Sequence, residues 1–513
     1  HDDTAVSTDG EPVVHLLGYS DLESLYDDPD RVGALATAIE RRRDDRTLVV
    51  GAGDTTALGV LALLTDESRA QARPFFESVA PAAETFGNHD FDFGAEWAAE
   101  WADTVPPTYC CANVSTPEAS HPLEDVPAAT VVERGGRRVG IVGVAHPDTA
   151  DICGTVAGLE FGDPVAAANS ALADLDVDYR VVLAHCGAED PRVARDVDAD
   201  VVLGGHLHSQ RADRFDGTLL VRTSAGGTEL AEVCLGEEST VAVHEVDPRS
   251  FDSAGDHPGR AAALAETYRE RRRELGVDEV VARVEDPLPR TERERFGGES
   301  RVGNFAADAM RAATGPLDAV APDGGENGDG PSSDATTADL GLFPGGSVRT
   351  GDPLAGAVTV GDVVSVCPFA GPVVECELDG TDVRAVLEEA AHPHDGDRGW
   401  VQFHVSGGRV VWTDENELAR VTVSSEPLDP DERYRVATPE YVVFIDAFAP
   451  LSRESAVAEH DEQWRALVSH ARAGGLDVAV QAASLGYLPG PASHTIDRQG
   501  PVALRGGSLS LRG

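Results

Sequence analysis

Short apolar runs in the first half of the chain end, one after another, in residues that bind metal ions. VVHLLGYSD ends in Asp21, two residues before Glu23, and TLVVGAGD ends in Asp54. ETFGNHD supplies Asn88, His89 and Asp90; YRVVLAHCG supplies His185; DADVVLGGHLH supplies His206 and His208. Carboxylate, amide oxygen and imidazole together suit Mn, Fe, Co or Zn, and no thiolate set offers a structural zinc site. More ligands gather here than one ion takes. They fit two ions about 3.5–4 Å apart with a shared carboxylate, for which Asp54 is the natural bridge. Such a pair lowers the pKa of a bound water and neutralises charge growing on a phosphoryl oxygen.

Residues so far apart in sequence meet only if the fold brings the ends of their strands together. From Val13 to about Val246, apolar runs (Val13–Leu17, Thr47–Val50, Arg138–Val144, Tyr179–Ala184, Asp200–Leu203) alternate with segments of helical spacing such as Arg31–Arg43 and Pro164–Leu175. That alternation predicts stacked α and β layers, whose sites lie beyond the carboxyl ends of the strands. Arg41–Arg43 falls at a helix end, where cations offset the dipole. A charged helix over His257–Glu274 reads as a linker, and a second α/β region follows from about Glu292. It carries a Gly/Ser/Asp-rich insert, Asp323–Thr337, that reads as a solvated loop. With 513 residues, the chain is too long for one ordinary core. The expected division is a metal-binding domain over 1–250, a helical linker over 251–290 and a substrate-binding domain over 291–513.

Charge narrows the partners. Asp and Glu number 90 against 41 basic residues, all of them Arg, for a formal net charge of -49. Acids spread along the whole chain repel one another at low salt and are tolerable where the Debye length falls to about 3 Å, near 1 M. Weakly hydrated Arg in place of Lys fits the same picture of a high-salt cytoplasm. Nucleic acid and anionic membrane are excluded as partners, since both would be repelled. The seven cysteines include no CxxC pair, and several, Cys234 and Cys367 among them, sit in apolar runs as small core residues, which favours a reducing compartment. No apolar stretch approaches the ~18 residues of a membrane span. His1–Gly10 is polar and carries no signal-peptide pattern; the first residue is not Met, so removal of a leader stays compatible with the sequence.

GAGDTTALG around Asp54, GNHDFDFG at 87–94, LAHCG at 183–187 and GGHLHS at 204–209 resemble the calcineurin-like metallophosphoesterases. GNHDFD is especially similar to the 5'-nucleotidase and UDP-sugar hydrolase branch. Four such motifs in order, each after a strand-like run, are specific. The resemblance implies an N-terminal four-layered α/β/β/α metallophosphoesterase domain and a C-terminal α/β 5'-nucleotidase domain. It implies that Asp21, Asp54 and His208 hold one divalent ion, and Asp54, Asn88, His185 and His206 the other. Mn is the expected ion, with Zn, Co and Fe as alternatives. His89, oriented by Asp92, would donate a hydrogen bond or proton to the phosphoryl group or leaving oxygen. One departure stands out: where the family has Asp-x-His, this chain has Asp21-Leu22-Glu23. A carboxylate suits Mn as well as an imidazole does, so Glu23 is expected to ligate; the alternative is that it points to solvent. His15, His121 and His146 lie outside the motifs and read as structural or surface residues, and His392 and His394 as part of a polar loop.

The resemblance continues in ESRVGNFAADAMR (299–311), FPGGSVRTG (343–351), VTVGDVVSVCPFAGPVVECELDG (358–380) and GWVQFHVSGGRV (399–410). Physically, a nucleotide site needs planar cations and flat rings. Arg349, on a Gly-Gly turn, offers the first, and Phe369 one stacking face. Tyr441 and Asp446 match the family's aromatic and acid in FxxxGGDG, though the segment is a residue short and lacks both glycines. Pro344 and Gly371 stand where the family has Asn, and Arg293, Arg295 and Arg301 are approximate candidates for a phosphate clamp. The expected activity is hydrolysis of a phosphomonoester, foremost a nucleoside 5'-monophosphate. The alternatives are a phosphodiesterase on 2',3'-cyclic nucleotides or nucleotide sugars, and a non-catalytic nucleotide-binding member of the family.

Overall fold

The computed structural model describes residues 14–65, 70–116, 122–156, 158–251, 259–296, 299–315, 337–390, 403–413, 417–444, 448–477 and 493–496. His121, His392, His394, Asp446 and the insert over 323–336 lie outside these residues. The chain forms two compact units, His1–Leu275 and Gly276–Gly513.

The first unit is built on two six-stranded sheets. In one, Val14–Tyr19 and Thr47–Gly51 run parallel at the centre. In the other, Arg137–Ala145, Tyr179–His185 and Val201–Gly204 are parallel neighbours. These strands are near-continuous Val/Leu runs because both faces are covered, as parallel sheets require. Leu16, Val50, Ile141, Leu183, Leu203 and Val233 meet between the sheets in one apolar core. Outside the second sheet, Ala168 and Leu172 of helix Pro164–Ala173 and Val193 and Ala194 of helix Asp190–Asp196 pack on Val142, Val182 and Val202. Helices Pro29–Arg42 and Gly259–Glu274 form the opposite outer layer. The result is the expected α/β/β/α order.

Local chemistry explains the helix ends. Asp28 caps Pro29–Arg42 by accepting from the N–H groups of Asp30 and Arg31, with Pro29 in the first turn and Arg41 and Arg42 in the last. Helix Gly259–Glu274 buries Ala261, Leu264, Ala265 and Tyr268, and the Tyr268 hydroxyl donates to the Gln71 carbonyl. It is therefore packed into the first unit. Cys234 departs from expectation: it is half-exposed, because it shares the outer alternation of its strand with Glu232 while Val233 and Leu235 point inward.

The second unit holds a five-stranded sheet in the order Phe403–Ser406, Leu340–Pro344, Arg433–Pro439, Pro372–Asp379, Ala456–Glu462. Helix Arg301–Ala313, capped by Ser300 on the Gly303 N–H, packs against it together with Gln463–Arg472. No helix among the described residues is long and apolar enough to cross a membrane.

Candidate metal centre

The ends of the first unit's strands deliver the motif residues to one place. Asp21 lies just past Val14–Tyr19, Asp54 past Thr47–Gly51, His185 ends Tyr179–His185, and His206 lies just past Val201–Gly204. Donor atoms of Asp54, His185 and His206 fall within 4.8 Å of one another, as do those of Asp21, Glu23 and His208, and those of Glu23, Asp54 and His89. The second and third groups share Glu23, and the first and third share Asp54.

Backbone shape sets the aim of these side chains. Asp21, Glu23, Asp54 and His206 all adopt left-handed φ, at 50°, 41°, 52° and 73°. Hydrogen bonds hold them there: Asp21 N–H donates to the Gly53 carbonyl at 2.9 Å, Glu23 N–H to the Asp54 carbonyl at 3.2 Å, and His206 N–H to Asp21 Oδ1 at 2.9 Å. Gly87 is required by contact, since a Cβ there would lie 2.1 Å from Asp54 Oδ1.

Within the first group, His185 Nδ1 bonds the Ala52 carbonyl at 2.8 Å, which turns Nε2 toward Asp54 Oδ2 at 3.0 Å. Asn88 Oδ1 lies 2.8 Å from His206 Nδ1. In the second group, His208 Nε2 is 3.1 Å from Glu23 Oε1 and 3.8 Å from Asp21 Oδ1. Glu23 is only 8% exposed, so its carboxylate faces the cluster and not solvent. His89 Nδ1 sits 3.0 Å from Asp92 Oδ2, and its backbone N–H donates to Asp54 Oδ1 at 2.7 Å.

Charge is concentrated here. Burial raises the Asp54 carboxyl, but His185, His89 and His206 outweigh it and hold the group well below the ordinary carboxylate range. Burial pushes Asp21 up to about 6, opposed by His185. His185 rises to about 10, because Asp54 and Asp21 overcome the lowering effect of burial. His206 falls to about 3 through burial and the neighbouring His185. Asp21 Oδ2 is buried with no hydrogen-bond partner. An anionic, mixed oxygen–imidazole donor set with an orphaned carboxylate oxygen fits divalent cations.

Asp90 is a correction to its grouping with the ligands. It accepts five hydrogen bonds, from the N–H groups of Asp54, Thr55, Thr56 and Gly87 and from the Thr56 hydroxyl. Both oxygens are spent on fixing the loop that carries Asp54. A second supporting group has no motif of its own. Arg222, buried, pairs with Asp190 at 2.8 Å and donates to the carbonyls of Gly187 and Ser209, tying together the loops that follow His185 and His206.

In the second unit, the Arg349 guanidinium lies over the Phe369 ring, 5.6 Å from its centroid. Gln463 Nε2 donates to the carbonyls of Phe369 and Ala370, which pins that loop. Arg295 donates to the Gly346 carbonyl, on the turn preceding Arg349, while Arg301 is taken up by Asp286 and Pro287. Arg293 contributes a backbone N–H to the Thr291 hydroxyl. Tyr441 is 39% exposed on helix Glu440–Phe444, and Glu440 of that helix abuts Gly371.

Residues 15–210 match the calcineurin-like phosphoesterase family, and residues 280–448 the 5'-nucleotidase C-terminal domain. The chain is 25% identical over 418 residues to an apyrase of Tabanus yao, spanning 72% of each chain. It is 25% identical over 466 residues to a 5'-nucleotidase of Diplobatis ommata, spanning 81% of this chain and 77% of that one. In structure it is similar to a 5'-nucleotidase precursor from Thermus thermophilus, with a TM-score of 0.71 at 23% identity, covering 90% of this chain and 96% of the other. Fold and family together define a phosphoester hydrolase whose class uses divalent metals. The chain belongs to the calcineurin-like metallophosphoesterases that carry a 5'-nucleotidase C-terminal domain.

Proposed function

We propose that this enzyme hydrolyses nucleoside 5'-monophosphates to nucleoside and phosphate, with two divalent ions, Mn foremost. The observation that carries this reading is the convergence of two ligand groups around Asp54 and Glu23, beside the His89–Asp92 pair. Asp21, Glu23, Asp54 and His208 would hold one ion, and Asp54, Asn88, His185 and His206 the other. When bound, such ions polarise the phosphoryl group and lower the pKa of a water. The chain's own residues supply orientation and a proton. Asp92 on Nδ1 directs His89 so that Nε2 is its other proton-bearing edge, suited to the leaving oxygen. In the second unit, Phe369 and Tyr441 would take the faces of the base and Arg349 the phosphate or ribose, with Arg295 steadying the turn that carries Arg349. Asp446 completes this set by resemblance.

Pro344 and Gly371 offer no side-chain amide to read a base edge. Discrimination comes mainly from buried polar groups left unpaired by the wrong ligand, so the pocket should tolerate purines and pyrimidines alike. The test is kcat/KM in Mn and multimolar KCl for four nucleoside monophosphates, an aryl phosphate, a 2',3'-cyclic nucleotide and a nucleotide sugar. The four nucleotides should be turned over with similar efficiency and the two diesters poorly. Phe369→Ala should raise KM for the nucleotides about 10-fold, in line with the ~1–3 kcal/mol of a base–aromatic stack, and leave the aryl phosphate nearly unchanged. Strong preference for one base, or equal losses on both kinds of substrate, would count against this pocket; faster diester turnover would overturn the monoesterase reading.

The charge of -49 points to a salt-rich cytoplasm as the working environment. Screening relieves self-repulsion in the folded state, so the melting temperature should rise steadily from low salt to molar KCl. A melt that is flat or falls over that range would defeat the salt-adaptation argument.

A further inference from the structure

The ring of His206 is held in place largely by its neighbours. It sits on a left-handed backbone just past its strand, with φ 73°. One ring nitrogen is engaged by Asn88. The rest of the ring is confined by walls. His185 meets it edge-on, with centroids 5.3 Å apart and planes at 78°. Gly187 leaves just enough room on another side, since a Cβ there would lie 2.7 Å from His206 Cδ2. The remaining wall is His146, whose ring lies alongside at 5.0 Å and 30°.

His146 is itself well anchored. It directly follows strand Arg137–Ala145, whose last residue pairs in register with His185. Its Nδ1 accepts the Asp148 N–H at 3.1 Å, and its carbonyl accepts from the Thr149 N–H and hydroxyl. The ring is thus fixed by its own turn before it meets His206.

We propose that His146 is a positioning residue of the metal centre: its ring face is the wall that keeps the His206 imidazole turned toward Asn88 and Asp54. This rests on the reading of Asp54, Asn88, His185 and His206 as the ligands of one ion. Groups that orient a ligand, without touching the metal, typically change affinity about 10- to 100-fold when removed. The property used is the flat face, so another flat ring should replace it.

The experiment titrates Mn²⁺ into metal-free full-length protein in high salt by calorimetry, for wild type, His146→Ala, His146→Gln and His146→Phe, alongside the melting temperature of each metal-free protein. Wild type should bind two ions. His146→Ala and His146→Gln should weaken one of them about 10-fold, leaving the other ion and the metal-free melting temperature unchanged. His146→Phe should stay within about 3-fold of wild type, the sign that the face and not a ring nitrogen matters. Unchanged affinity in His146→Ala overturns the proposal, and so does His146→Phe binding as weakly as His146→Ala. Equal loss of both ions together with a lower melting temperature shows a general structural role and also overturns it. A wild type that binds fewer than two ions is a separate result: the two-ion reading falls, and the proposal with it.

Discussion

Chelator-treated enzyme should lose phosphoester hydrolysis to background and regain it on addition of Mn²⁺. The donor set is anionic and buried, and Asp21 Oδ2 has no protein partner, so the centre is electrostatically incomplete without cations. The two variants that test individual ligands are Asn88→Ala and His206→Ala. Asn88 Oδ1 and His206 Nδ1 lie 2.8 Å apart in a position to share one ion. Removing either should lower kcat/KM about 100-fold or more, with loss of one bound metal by elemental analysis. Full activity in chelated, metal-free protein would defeat the metal-dependent reading outright.

The second large effect belongs to His89. Burial lowers the basicity of this imidazole, yet the Asp92 and Asp54 carboxylates outweigh burial and lift it to about 9. Asp92 on Nδ1 favours the protonated ring, the form that can give a proton to a departing alkoxide. General acid catalysis of this kind contributes about 10²- to 10⁴-fold. His89→Ala should lower kcat by that order with metal content intact, which separates it from the ligand variants. Asp92→Asn should cost less, because the ring keeps a hydrogen-bonding neighbour and loses only the charge. If His89→Ala also loses a metal, the residue is a ligand and the acid role is wrong.

Much of this centre is legible in the sequence because a parallel strand advertises both its interior and its end. Val181–Ala184 is apolar because both faces are covered, and His185, itself fully buried, is the polar residue on which that run ends. The same logic exposes Asp54 and His206. The scaffold beneath is not legible in the same way. Asp90 is adjacent to His89 and chemically fit to ligate, and only its five hydrogen-bond donors, four from the loop 54–56, show where its oxygens go. Arg222 and Asp190 are 32 residues apart, and nothing local marks them as a buried pair. His146 carries no motif, and its part emerges only when strand register brings it beside His206. The helix capped by Asp28 begins at Pro29, two residues before the helical spacing that starts at Arg31. In the second unit, Arg349 and Phe369 stand out as motif residues, whereas the hold of Gln463 on the Phe369 loop spans 94 residues and leaves no trace in the neighbouring sequence.

The left-handed residues of the centre bear on any attempt to move this chemistry elsewhere. For a residue other than glycine, that conformation costs about 1–2 kcal/mol, and the surrounding loops must supply it. Transplanting the ligand side chains onto regular strands would reproduce their identities and lose their aim. A graft would need Gly53 and Gly87, the Asp90 brace and the turns themselves as one piece. In the native chain, hydrogen bonds between the loops brace that shape, among them Asp21 N–H to the Gly53 carbonyl, Asp54 N–H to Asp90 and His206 N–H to Asp21.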